Sequence, residues 1–230
     1  MSTSVPNLSE LLSYLASLSD EDDQRIPPLH ILSKQLGISV ATLREQLTEA
    51  RSLGIVEVKP KAGIRKLPYD FSAALKPGLH YAILGGCLSY HQFADLRKHL
   101  ETAYFVEAAQ TLDNRTIDQL DQLVKEAQLI IRRNPGMVPA KEHREFHTLI
   151  YKHLENQYLD GILDAFWEVY HLSGMEVYPN YTYVERVWQY HARIVDQLRN
   201  RNYSAGLSLL IEHMDLLNQR EKTIPRLSFE

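Results

Sequence analysis

His143 and His147 stand four residues apart, a spacing that stacks two side chains on one helix face, and Ile150, Tyr151 and Leu154 continue that face. Two more stripes of helical period carry histidine in the same way. His191 lies within Val184, Val187, Trp188, Ile194, Val195 and Leu198, and His213 within Leu207, Leu210, Ile211, Met214 and Leu217. One histidine on an apolar stripe is more often a hydrogen-bonded core residue than a ligand. Three such stripes aimed at one interior make a candidate metal site of His143, His147, His191 and His213. Neutral imidazoles suit zinc or nickel, then cobalt or iron(II), and are poor ligands for magnesium or calcium.

A metal-dependent hydrolase is the alternative chemistry. Zinc proteases place a glutamate directly after the first histidine of a four-residue pair, where it serves as general base. Here Glu145 lies two residues from either histidine, which turns it about 200° from them, to the opposite helix face. The base is missing from the position the chemistry needs, and a non-enzymatic reading ranks first.

The elements that would position these residues are mostly helical. The chain has 230 residues, a mild net charge of -4 and a single cysteine, Cys87. No internal disulfide is possible, which fits a reducing cytosol. Cys87 has no charged neighbour in sequence and reads as a buried structural thiol. No run approaches the ~18 apolar residues of a membrane span, and no signal peptide is evident, so the expected location is cytoplasmic without membrane contact.

Charge is uneven along the chain. Residues 24–68 hold eight Lys/Arg against three acids, while the stretch before them contains Asp20-Glu21-Asp22-Asp23. A basic segment in an acidic chain points to an anionic partner for that segment alone. Its pattern says which. Asn7-Leu-Ser-Glu10 reads as a capping box for a first helix. Residues 29–36 form a short helix closed by Gly37, and Ser39 caps the next, over 40–53, closed by Gly54. Residues 55–59 and 64–67 alternate as strands around a Pro60-to-Gly63 turn. A helix-turn-helix followed by a basic hairpin is a winged helix, whose second helix enters the major groove and whose wing lies along phosphates. The expected DNA-facing residues are Lys34, Ser39, Val40, Thr42 and Arg44 on the helices, and Lys61, Gly63 and Arg65 in the wing.

Gly37-Ile-Ser-Val-Ala-Thr-Leu-Arg-Glu-Gln-Leu47, then Gly54-Ile-Val-Glu-Val and the wing glycine Gly63, resemble the DNA-binding head of GntR-type bacterial repressors. The best match is the FadR subfamily, in which a helical FCD ligand-binding domain follows the head. Leu96-Arg97-Lys-His-Leu-Glu101 is similar to the opening of that domain's first long helix, and the four histidines fall at the spacing of its metal ligands. Two positions depart from the family pattern. Val40 stands where many members have arginine, which removes one bidentate base contact worth ~1–3 kcal/mol. His143 stands where an acid is common.

The resemblance implies a homodimer on a palindromic operator of double-stranded DNA, with a small carboxylic acid as effector. One carboxylate oxygen would take an open metal position while Arg97 clasps the other. Arg97 could equally be a salt-bridge partner of Glu101, one turn on. Tyr151, on the histidine face, and Tyr190, beside His191, are candidate hydroxyl donors to the acid. The expected fold is mainly α: a winged helix-turn-helix with a small β-hairpin wing over 1–68, a hinge over 69–78, and an all-α bundle over 79–230 that holds metal and effector. Within that bundle the pattern places helices over 93–112 and 114–133, a capping box at Thr182 to Glu185 for the His191 helix, and Asn202 as cap of the last.

Overall fold

The computed structural model describes residues 8–19, 25–134, 137–174 and 181–216. It is mainly helical with one small antiparallel sheet, and the chain divides into two units, Met1–Gly78 and Leu79–Glu230.

The first unit begins with α1 (Glu10–Ser17). Asn7 lies outside the described residues, and Ser9 occupies the cap position without a side-chain cap; its hydroxyl instead donates to Glu49 Oε2 at 3.0 Å. The amide of Leu11, one of the free donors at the helix start, goes to Gln46 Oε1 at 3.0 Å, so a later helix supplies the cap. After β1 (Arg25–Ile26) come α2 (Leu29–Leu36) and α3 (Val40–Ser52). Between these two helices Gly37 adopts φ 70°, a left-handed conformation that costs a residue with a Cβ about 1–2 kcal/mol. Ser39 Oγ then accepts the Thr42 amide at 3.0 Å, the cap that starts α3.

Strands β2 (Val56–Lys59) and β3 (Gly63–Lys66) form the hairpin, and β1 adds to its other edge in the order β1-β3-β2. Two residues are too short to show alternation, so β1 has no periodic signature. Pro27, which has no N–H to offer, follows it directly. Register pairs Ile26 and Val58 with Ile64, and Ile26 and Ile64 are buried with Leu11, Leu32, Leu43 and Val56 in the head's core.

Gly54 makes the tightest approach in this unit. Its φ is +70°, and a Cβ there would lie 2.4 Å from the Ala73 Cβ. Left-handed strain of ~1–2 kcal/mol and overpacking of ~1–3 kcal/mol add up, so Gly54→Ala should destabilise the head by roughly 2–5 kcal/mol. At about 4–8 °C per kcal/mol for a domain of this size, the head's melting point should drop by roughly 10 °C or more. Thermal unfolding of the full chain, with protease sensitivity of residues 25–66 as the local readout, checks this; an unchanged transition would refute it.

The segment expected as a hinge is helical from Phe71 onward, in α4 (Phe71–Leu84), with Pro77 inside the helix. Asp70 Oδ1 accepts the Ser72 amide at 2.8 Å and steadies its start. Beyond α4 the chain turns through Gly86, φ +66°, into a loop that carries Cys87. Cys87 is exposed, contrary to the buried thiol the sequence suggests: the helix has already ended, and the neighbouring Leu88, not Cys87, packs against the aromatic cluster.

The second unit is a helical bundle: α5 (Tyr90–Thr111), α6 (Asn114–Arg133), α7 (Ala140–Tyr151) with a 3-10 turn at Lys152–Leu154, α8 (Gln157–Leu172), α9 (Tyr181–Arg199) and α10 (Tyr203–Asp215). Asp113 caps α6 through the Thr116 amide at 2.7 Å, and Asn202 caps α10 through the Ala205 amide at 3.4 Å. Helix α9 is already formed at Tyr181, so Thr182 lies inside it and is not its cap. Helix α9 packs between α6 and α10, while α5 meets α7, α8 and α10. Their apolar faces close over Phe105, Leu120, Phe146, Ile150, Trp188 and Leu210. Tyr90, Phe166, Trp167 and Tyr170 form a second aromatic cluster against Leu79 and Ile83. Among the described residues no helix is long and apolar enough to cross a membrane.

Candidate metal centre

The packing of α7 against the rest of the bundle decides where its imidazoles go. Phe146, Ile150 and Tyr151 are fully buried, so the same face carries His143 and His147 inward. On α9 the buried stripe Val184, Val187, Trp188, Ile194 and Val195 carries His191, and on α10 Leu210 and Met214 flank His213. Ile211, counted in that last stripe, is 37% exposed, and Leu217 lies outside the described residues.

The four histidines converge. One potential ligand atom from each lies within 4.8 Å of all the others. His147 Nε2 is 3.2 Å from His213 Nε2 and 3.2 Å from His191 Nε2. The ring of His143 sits 5.0 Å from both His147 and His191. A neutral imidazole nitrogen has one in-plane lone pair, so His147 Nε2 cannot accept from two ring N–H groups at once. A tetrahedral ion with nitrogens at ~2.0–2.1 Å would instead separate them by about 3.3–3.4 Å. The two pairs at His147 Nε2, both 3.2 Å, lie near that separation, and the four ligand atoms stay within 4.8 Å of one another.

Electrostatics favour the neutral, ligating form. Burial holds the His147, His191 and His213 imidazoles well below the ordinary histidine range. The Arg97 cation and neighbouring imidazoles add to this, and Glu101 opposes it at His213. Lone pairs are therefore available at neutral pH, as metal binding requires.

Behind His147 is a polar assembly from α5. Glu101 is fully buried; its Oε1 accepts from Arg97 Nε at 2.5 Å, and its Oε2 lies 2.7 Å from His147 Nδ1. Tyr151 donates its hydroxyl to the Glu101 carbonyl at 2.9 Å. Burial pushes the Glu101 carboxyl up from its ordinary value, with Arg97 pulling the other way. Arg97 itself is buried, its Cζ 4.5 Å from the ring centres of both Phe166 and Trp167. Its Nη2 is buried with no hydrogen-bond partner among the described residues.

The predicted residues thus separate into groups. The four histidines meet, with Arg97 and Tyr151 joined to them through Glu101. Arg97 does pair with Glu101, but in the interior rather than on the surface. Tyr190 points elsewhere: its hydroxyl donates to Glu212 Oε2 at 3.1 Å, with Arg193 over its ring. Glu145 is exposed and pairs with Lys141 at 3.8 Å, on the face away from the histidines. In the head, Lys34, Ser39, Arg44, Lys61 and Gly63 are exposed, while Val40, Thr42 and Arg65 are half-buried. Arg65 Nη1 is 3.7 Å from Glu57 Oε1.

Three residues of the site were not nominated from the sequence. Glu101 had a signal, its one-turn spacing from Arg97, which identified a partner but not a role. Trp188 reads only as a member of its apolar stripe and Trp167 carries no signal of its own, yet Trp167 stacks edge-on against His143 at 5.0 Å and Trp188 against His191 at 4.6 Å.

Comparison with known proteins covers both units. The model of the FCD domain matches residues 92–216. The HTH-type transcriptional regulator LutR of Bacillus subtilis is 21% identical over 198 residues, spanning 83% of this chain and 88% of LutR. The structure of Streptococcus agalactiae GntR superposes with a TM-score of 0.66 at 19% identity, covering 92% of this chain and 96% of that one. Escherichia coli McbR/YncC gives 0.48 at 17% identity, with 90% and 92% covered.

Proposed function

This chain belongs to the FCD domain family and carries that domain behind a winged helix, as GntR-type transcription regulators do; on that premise we propose that it is a ligand-responsive regulator of the FadR subfamily. Its head would bind double-stranded DNA, and its bundle a divalent metal together with a small carboxylic acid. It is a regulator and not an enzyme: the relatives are named as transcription regulators, and Glu145 is turned away from the histidines.

The observation that carries the effector half is a cluster of four buried imidazoles joined through Glu101 to Arg97, whose Nη2 is buried with no hydrogen-bond partner among the described residues. Four neutral nitrogens suit zinc or nickel, with cobalt and iron(II) next. They would leave a divalent ion its full charge of two inside an apolar interior. Glu101 does not offset it, because Arg97 already neutralises Glu101. A buried excess charge is costly unless an anion joins it. A carboxylate reaching both the metal and Arg97 Nη2 answers both needs with one group. Tyr151 takes part indirectly, by holding the Glu101 backbone.

On the DNA side, α3 would enter the major groove by its first turn, presenting Val40, Thr42 and Arg44, with Ser39 and Lys34 near the backbone. The wing would set Lys61, Gly63 and Arg65 along phosphates. A homodimer would place two heads on a palindrome, and acid binding would bias their placement and so operator affinity.

Selection of bound duplexes from a random pool, with and without a chelator, tests the whole reading. A recovered palindrome whose enrichment responds to chelator supports it, and failure to enrich any sequence would sink the DNA half. On the selected duplex, Arg44→Ala should weaken binding by roughly 5–150-fold, the equivalent of ~1–3 kcal/mol for a bidentate base contact. Unchanged affinity would remove Arg44 from the interface.

A further inference from the structure

Glu101 is fully buried. Its two oxygens serve different partners. Oε1 holds Arg97 Nε at 2.5 Å, and Oε2 holds His147 Nδ1 at 2.7 Å. Its carbonyl is held in turn by the Tyr151 hydroxyl at 2.9 Å, and α5 fixes its backbone. The rear nitrogens of the neighbouring imidazoles are treated differently: Nδ1 of His191 and Nδ1 of His213 are buried with no hydrogen-bond partner among the described residues. Of these three imidazoles, His147 alone has its rear nitrogen gripped by a carboxylate. It is also the one whose Nε2 touches both others at 3.2 Å, so it is the hub of the cluster.

We infer that Glu101 is a positioning residue for both halves of the proposed site, fixing His147 as its Nδ1–H tautomer and aiming the free Nη2 of Arg97. A carboxylate in this place can only accept. Accepting from Nδ1–H leaves the lone pair on Nε2, which faces His191 and His213. Accepting from Arg97 Nε sets the plane of the guanidinium, and the rings of Phe166 and Trp167 keep it there. The two settings are linked because one carboxylate makes both. A carboxylate behind a ligating histidine also raises the basicity of that ligand, and loss of such a partner typically costs 10–100-fold in metal affinity.

This inference rests on the metal reading above, but its central claim is measurable on metal-free protein. Long-range 1H–15N correlation spectra of the full chain, assigned with His147→Gln, report which ring nitrogen of His147 carries the proton. The expected result is protonated Nδ1 in the wild type and loss of that signature in Glu101→Gln, whose amide can accept from only one of the two donors. Zinc competition against a colorimetric chelator is the second readout, with Glu101→Gln expected to bind about 10–100-fold more weakly. An Nε2–H tautomer in the wild type overturns the inference whether or not Glu101→Gln folds. So does a Glu101→Gln protein with unchanged His147 signals and unchanged zinc affinity, and the metal reading then survives. Wild-type protein that shows the Nδ1–H tautomer, loses it in Glu101→Gln and yet takes up no zinc has the opposite meaning: the positioning role stands and the metal reading falls.

Discussion

Arg97→Ala should destabilise the helical unit by about 3–5 kcal/mol, the cost of breaking a buried ion pair and leaving one charge alone. At ~2–4 °C per kcal/mol for a chain of this size, its melting point should fall by roughly 6–20 °C. The reason is Glu101, which is completely buried and would lose the guanidinium that neutralises it. Loss of the side chain that lies against the Phe166 and Trp167 rings would add a void to the uncompensated charge. Calorimetry of the full chain is the check, and a fall of under about 2 °C would mean that the pair is not buried as described. Arg97→Ala with Glu101→Leu should recover much of the loss, since a buried pair replaced on both sides by apolar groups is often nearly neutral. The expectation also bears on how Arg97 is examined as an effector clasp. Alanine would disturb His147 through Glu101, so Arg97→Lys, which keeps the charge and loses the fork, is the cleaner probe of carboxylate binding.

The second large effect is on metal content. His191→Ala combined with His213→Ala should reduce bound metal from about one ion per chain to background on elemental analysis, because two nitrogen donors disappear and His147 Nε2 loses both of its neighbours. A ligand that binds only the folded state raises stability by about 2.7 kcal/mol at a hundredfold excess over its dissociation constant. Zinc should therefore raise the melting point of the wild type and leave that of the double variant unmoved. Stoichiometric metal in the double variant would place the ion elsewhere.

Most of the four-histidine cluster could be read from the residues because it is carried by local periodicity. His143 and His147 share a face by spacing alone, and His191 and His213 lie among residues whose burial the same period predicts. Capping chemistry likewise located α10, since Asn202 acts within three residues of itself. What could not be read depends on contacts between distant segments. Glu101 meets His147 across 46 positions, and its second oxygen has no sequence signature. Trp167 and Trp188 satisfy an apolar pattern wherever their rings point. β1 is two residues long and gains its identity only by pairing with β3. Cys87 seemed a core thiol because its neighbours are uncharged, and only the end of α4 at Leu84 shows that it is on a loop. Tyr190 is one residue along the helix from His191, a rotation of about 100°, and its hydroxyl meets Glu212 rather than the imidazoles.

The chain has two tryptophans, and both are at the histidine cluster. Trp167 lies 5.0 Å from the His143 ring and 5.8 Å from that of His147, while Trp188 lies 4.6 Å from His191. Tryptophan emission, excited at the red edge where tyrosine does not absorb, therefore has no source outside the immediate surroundings of the four imidazoles. An open-shell ion such as nickel or cobalt held there would be close enough to drain the excited state of both indoles, whereas closed-shell zinc would not. Tryptophan fluorescence is thus an optical gauge of what the cluster holds, and it needs no dye, label or engineered chromophore.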